Sequence, residues 1–164
     1  ETGARELLGR HHDVLQALGR DFTCGVLDVF AAVDRLRREL ASRGERLRAL
    51  TAWLAEEVAR SFLADEPGPV VAAAFEEADA DLLRAVGKRI VAEPGRAALL
   101  AAPGVEGTTV FAARAADSDF DCGAFLRAVA SATGGRGGGR PDHAEGRLPA
   151  GVDWSALVAE HGAE

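Results

Sequence analysis

The segment Gly134-Gly135-Arg136-Gly137-Gly138-Gly139-Arg140-Pro141-Asp142-His143-Ala144-Glu145-Gly146 constrains this chain more than any other. Five of its first six residues are glycine. Glycine loses the most backbone entropy on ordering, so the run predicts a loop and not the interior of a helix or strand. Bare backbone N–H groups in such a loop can point into one concavity and hold an anion. Arg136 and Arg140 add forked donors suited to phosphate oxygens. Pro141 fixes its own φ and drives Arg140 toward an extended conformation. A flexible linker would be richer in serine, and it would not set two arginines and a Pro-Asp pair at fixed places inside the run.

The elements ahead of this segment fall into two groups. Ala4 to Gly19 reads as a helix whose Leu7, His11, Val14 and Leu18 share one face. Asp21 to Gly25 reads as a turn. From Val26 a longer seam begins, with Val29, Val33, Leu36, Leu40, Leu47, Leu50, Leu54 and Val58 in steps of three and four that only Arg43 interrupts. That spacing is heptad-like and predicts a helical hairpin or coiled coil running to about Phe62. The Asp65-Glu66-Pro67-Gly68-Pro69 cluster ends the helix and opens a new unit. Beyond it come an apolar run at Val70–Phe75, a helix at Asp79–Ala92 and a second apolar run at Ala97–Ala102. A strand at Thr108–Ala113, a helix at Asp121–Ala132, the glycine loop and a short amphipathic helix around Trp154, Leu157 and Val158 complete the order. The expected fold class is α/β: an N-terminal helical hairpin over 1–64, a linker over 65–69, and a small α/β domain over 70–164. Because the glycine loop follows a helix and lacks a Gly-Lys-Ser/Thr ending, it is not a P-loop.

Bulk properties narrow the chemistry. A net charge of −7 means that any contact with nucleic acid must come from a local basic patch. Cys24 and Cys122 form no CxxC pair and no disulfide framework, which points to a reducing cytoplasm. No apolar run suits a membrane span, and no signal peptide is visible. The chain starts at Glu1 and contains no methionine, so a fragment of a longer protein is expected.

The string at Gly134–Gly146 resembles the glycine-rich signature near the C terminus of alanyl-tRNA synthetases and of the freestanding alanyl-tRNA editing proteins. There it reads G-G-(K/R)-G-G-G-(R/S)-P-x-x-A-x-G, and Gly134, Gly135, Arg136, Gly137, Gly138, Gly139, Arg140, Pro141, Ala144 and Gly146 meet every fixed position. Residues Pro69 to Glu160 resemble the DHH-associated domain that closes both families, and the helical part resembles the region just after the editing core. The DHH-type phosphoesterases carry a related string, G-G-G-H-x-x-A-A-G, from which this chain departs by Arg140 and one extra residue.

This resemblance implies deacylation of tRNA for alanine mischarged with serine or glycine. It places that chemistry in an upstream core with zinc held by HxxxH and CxxxH pairs. Neither pattern exists here, so no catalytic and no metal-binding residue is assigned, and zinc is expected only in the core. What the resemblance leaves to this chain is the accessory half, implicated in tRNA binding and self-association. The expected nucleic-acid-binding residues are Gly134, Gly135, Arg136, Gly137, Gly138, Gly139, Arg140, Asp142 and Gly146. The alternatives are an oligomerisation element, with a homodimer through the helical hairpin, and an accessory nucleic-acid-binding domain of a phosphoesterase. Within the segment, Arg136 and Arg140 either contact phosphates or pair with Asp142 and Glu145. Trp154 is expected to be a core anchor.

Overall fold

An apolar run starting at Val70 pairs in parallel with one starting at Ala97, and that pairing organises the C-terminal part of the chain. The computed structural model describes residues 2–65 and 68–162, without the side chains of residue 2 and residues 4–7. Leu7 of the first apolar face, and Glu66 and Pro67 of the linker, therefore lie outside what is described. The chain falls into two compact units, Glu1–Arg48 and Ala49–Glu164.

The first unit is helical. Helix α1 spans Thr2–Asp21, a short 3-10 turn spans Val26–Asp28, and helix α2 begins at Val29 and runs to Asp65. Val29 and Ala32 are buried at the start of α2. Gly19 is needed where the chain turns, since an added Cβ would sit 2.9 Å from the Cys24 carbonyl oxygen. Further along α2, the apolar seam is open: Leu36, Leu40, Leu47, Leu50 and Leu54 are all exposed.

The second unit is an α/β sandwich. Strands β1 (Val70–Ala74), β2 (Ala97–Gly104), β3 (Gly107–Arg114), β4 (Arg136–Arg140) and β5 (His143–Leu148) form one five-stranded sheet in the order β1-β2-β3-β5-β4. Strands β1 and β2 are parallel and need a crossover, which helix α3 (Ala80–Ile90) supplies. The remaining pairs are antiparallel and joined by hairpins or by helix α4 (Cys122–Thr133). Helix α5 (Trp154–His161) closes the chain.

Helices α3, α4 and α5 each start on an aspartate. Asp79, Asp121 and Asp153 accept the backbone N–H of Leu82, Ala124 and Ala156 at 2.8, 2.8 and 3.1 Å. A carboxylate there satisfies an orphan amide and the positive end of the helix dipole.

Two cores flank the sheet. On one face, Ala55 and Ala59 of α2 and Leu83, Val86 and Ile90 of α3 pack on Val71, Leu100 and Phe111. On the other, Phe125, Leu126 and Val129 of α4 and Trp154 of α5 pack on Leu99, Val110, Ala144 and Leu148. Strand β2 is buried on both faces from Ala97 to Ala102, which is why its sequence is continuously apolar. Trp154 is the anchor expected of it: it is 4 % exposed, donates its indole N–H to the Leu99 carbonyl at 3.2 Å, and meets Phe125 edge to face.

The glycine segment is where the structure departs from the expectation of a loop. Only Gly134 and Gly135 leave helix α4, and Arg136–Arg140 is an edge strand. Pro141 and Asp142 form the turn, and His143–Leu148 returns as a full partner strand. The entropic cost of ordering glycine is offset by a close approach that a side chain would forbid. A Cβ on Gly139 would run into the His143 carbonyl and lie 2.6 Å from Ala144 Cα. One on Gly146 would lie 2.7 Å from the Arg136 carbonyl oxygen. One on Gly123, in the first turn of α4, would lie 2.6 Å from the Gly139 carbonyl oxygen. The glycines thus let α4, β4 and β5 pack backbone to backbone.

Candidate nucleic-acid interface

Strand alternation sorts the signature into two faces. Gly137, Gly139, Ala144 and Gly146 lie on the side covered by α4, with Ala144 fully buried. Arg136, Arg140, His143, Glu145 and Arg147 occupy the other side. Helix α3 and the end of α2 cover β1 to β3 on that side, and their core includes no residue of β4 or β5. The outer two strands therefore present an open sheet face whose residues are exposed or half-buried.

The charges on this face are ordered. Arg84 reaches from α3 to Glu145 with a two-pronged contact, Nε to Oε1 at 2.7 Å and Nη2 to Oε2 at 2.8 Å. Its Nη1 also meets Asp81 at 2.9 Å. The Arg84 hydrogen bonds hold the Glu145 carboxyl below the usual carboxylate range. His143 Nε2 lies 3.4 Å from Glu145 Oε1, and its ring stands edge-on to Phe111 at 5.2 Å. Arg140 pairs with Asp142 across the turn at 3.3 Å, yet its side chain is 80 % exposed. Arg136 is exposed and has no partner among the described residues. Arg147 meets Glu106 of the β2–β3 turn.

Of the predicted site residues, Arg136 and Arg140 share the open face. Gly134 does not: with φ at 73° it ends α4 in the left-handed conformation, and its N–H bonds the Ala130 carbonyl. The Gly135 N–H bonds the same carbonyl at 3.0 Å. Gly137, Gly139 and Gly146 serve the close packing under α4. Asp142 shapes the turn, and its carbonyl accepts from the Arg114 N–H at 3.1 Å. Consecutive amides of β4 point alternately toward β5 and away from the sheet, so they form a row along an edge and not one concavity. Gly138, with φ at 150° and an added Cβ that would lie 3.4 Å from Arg127 Cγ of α4, puts no side chain on the open face between Arg136 and Arg140. Arg147 and the Arg84–Glu145 link were not among the predicted residues. The signal for Arg147 was the alternation Ala144, Gly146, Leu148 inward against His143, Glu145, Arg147 outward.

Cys122 is fully buried at the start of α4, and burial pushes its thiol up to about 11. It is a packing residue whose N–H bonds the Pro141 carbonyl at 3.0 Å.

Comparison with known proteins matches residues 68–160 to the DHHA1 domain, more than half of the chain. The chain belongs to the DHHA1 domain family. Its match covers every strand of the sheet and the whole open face. Over 138 residues the chain is 33% identical to an alanine–tRNA ligase of Pseudomonas fluorescens, covering 82% of this chain and 15% of the ligase. The chain therefore spans about a seventh of the length of that relative. The C-Ala domain of Aquifex aeolicus alanyl-tRNA synthetase shares the fold, with a TM-score of 0.51 and 19% identity over 56% of this chain and 85% of that domain. RecJ from Thermus thermophilus, solved in complex with Mg2+, also shares it, with a TM-score of 0.59 and 18% identity over 90% of this chain and 27% of RecJ. No helix among the described residues is long and apolar enough to cross a membrane.

The Arg84–Glu145 link ties α3 to the open strands of the DHHA1 domain, and its contribution depends on pH. Glu145 takes up its proton at lower pH when folded than when unfolded, where a carboxylate titrates near ~4.3. The stabilisation is therefore complete above that value and is lost as pH falls through the folded one. Both side chains are over a third exposed, so Glu145→Gln is expected to cost no more than about 1 kcal/mol at neutral pH. Urea midpoints of parent and variant should converge as pH is lowered below about 4. A gap that stays constant down to that pH would assign the loss to packing instead.

Proposed function

We propose that this DHHA1 domain is the non-catalytic tRNA-docking portion of an alanyl-tRNA editing protein, acting through the open face of β4 and β5. The observation that carries this reading is the pair of exposed guanidinia, Arg136 and Arg140, on one face of an edge strand with no side chain between them. Four residues along a strand place them about 13 Å apart, a span that a sugar-phosphate backbone can bridge with more than one phosphate. Arg84 neutralises Glu145 on the same face, which removes a charge that would repel phosphate. The relationship to an alanine–tRNA ligase supports tRNA for alanine as the partner. Hydrolysis of the serine or glycine ester, and the zinc it uses, belong to an upstream core, and the whole acts in the cytoplasm.

A second reading rests on a separate observation, the exposed leucines Leu36, Leu40 and Leu47 of α2 in the first unit. That seam suits a second copy of the chain, as in a homodimer through the helical region.

Fluorescence-anisotropy titration with labelled tRNA for alanine tests the main reading. The logarithm of the binding constant should fall linearly with that of the salt concentration, by about 0.7 to 0.9 for each phosphate contact. A short single strand should compete poorly. Binding that ignores salt removes the reading, and a preference for the short single strand moves it to the phosphoesterase alternative.

A further inference from the structure

Strands β4 and β5 are in register so that Arg136 stands directly opposite Arg147. Cross-strand partners hold their Cβ atoms about 5 Å apart, and like charges at that position are unfavourable. Neither guanidinium relieves the other. Arg136 has no partner among the described residues, and Arg147 turns to the Glu106 carboxylate on the β2–β3 turn. Glu106 is itself 78 % exposed, so it is held by this one ion pair and not by burial. The arrangement is two cations and one movable carboxylate, at the opposite end of the open face from Arg140 and His143.

We propose that Arg136 and Arg147 together form a phosphate site, and that Glu106 is a resident stand-in for the phosphate on Arg147. This rests on the reading of the open face as a nucleic-acid interface, and it adds a residue that the glycine signature does not contain. The ligand is a phosphodiester of the docked strand. Its two non-bridging oxygens suit two converging guanidinia, which a single carboxylate on one of them cannot satisfy. On binding, the Glu106 carboxylate returns to solvent and Arg147 swings to the shared phosphate. The gain over an exposed ion pair is therefore the exchange of one weak pair for a contact that also releases a counterion.

The test uses labelled tRNA for alanine and the full chain, at several salt concentrations up to about 0.3 M. At ~0.15 M salt one phosphate contact is worth roughly 5-fold in affinity. Arg147→Ala should therefore weaken binding by about 5-fold and reduce the salt slope by about 0.7 to 0.9. Glu106→Gln should strengthen binding by about 1.4- to 5-fold, the range of an exposed ion pair. Glu106→Gln combined with Arg147→Ala should bind like Arg147→Ala alone. Both positions are more than half exposed, so all three variants are expected to fold. Arg147→Ala with parental affinity and slope overturns the proposal, and so does a Glu106→Gln gain that survives loss of Arg147. If Arg136→Ala weakens binding while Arg147→Ala does not, the interface stands and only this site falls. A parent chain that does not bind tRNA at all sinks both.

Discussion

Alanine in place of Gly139 is expected to destabilise the sheet unit by about 2–3 kcal/mol, the cost of forcing a methyl group into a packed site. The added Cβ would meet the His143 carbonyl and approach Ala144 Cα to 2.6 Å and its Cβ to 2.9 Å. None of these atoms can move independently, because Ala144 is fully buried between β3 and β4. Relief would require β4 to separate from β5. The lower conformational entropy of the unfolded alanine variant offsets only ~0.4–1 kcal/mol of this. Gly137 supplies the control within the same strand. Its added Cβ comes no closer than 3.3 Å, to Gly146 Cα, so Gly137→Ala should cost clearly less. Urea unfolding followed by the fluorescence of buried Trp154 reads both. Equal and negligible effects would mean that the segment is a free loop and not a strand.

The second large effect is on binding. Arg136→Ala with Arg140→Ala is expected to weaken tRNA affinity by roughly 25-fold at about 0.15 M salt, the product of two phosphate contacts. The salt slope should shrink by about 1.4 to 1.8. Both side chains are exposed, and Arg140 holds only the exposed Asp142, so thermal unfolding should change little. Replacing both by lysine keeps the charge and loses the planar fork, so the lysine variant should retain most of the salt slope with intermediate affinity. A double alanine variant that binds as tightly as the parent would remove the open face from consideration as the interface.

The two experiments separate roles that the glycine signature combines. Its glycines at 137, 139 and 146 lie under α4 and act on stability, whereas its arginines at 136 and 140 lie on the open side and act on binding. A run of residues chosen for two purposes reads as one motif in a linear sequence. Strand alternation divides it, because neighbouring residues point to opposite faces.

Most helices were legible from spacing. The steps of three and four along α2, and the apolar periodic runs within 79–92 and 121–132, place the elements to within a few residues. Strand β2 was legible as an apolar run because it is buried on both faces. Strand β4 was not. Glycine has no side chain to show alternation, and local propensity argues against a strand until a neighbouring backbone demands the close approach. Strand β5 was hidden for a related reason: its inward residues include Ala144 and Gly146, too small to register as a hydrophobic pattern.

The sequence by itself determined the α/β class, the family resemblance, helices α1 to α5, strands β1 to β3, and the two arginines of the glycine segment. These are properties of local spacing and residue type, which a chain carries whether folded or not. Only the tertiary structure decided that the glycines form an edge strand, that Arg84 reaches across from α3 to Glu145, and that Arg147 faces Arg136. Those facts join residues distant in sequence through backbone register, and register exists only once the strands have paired.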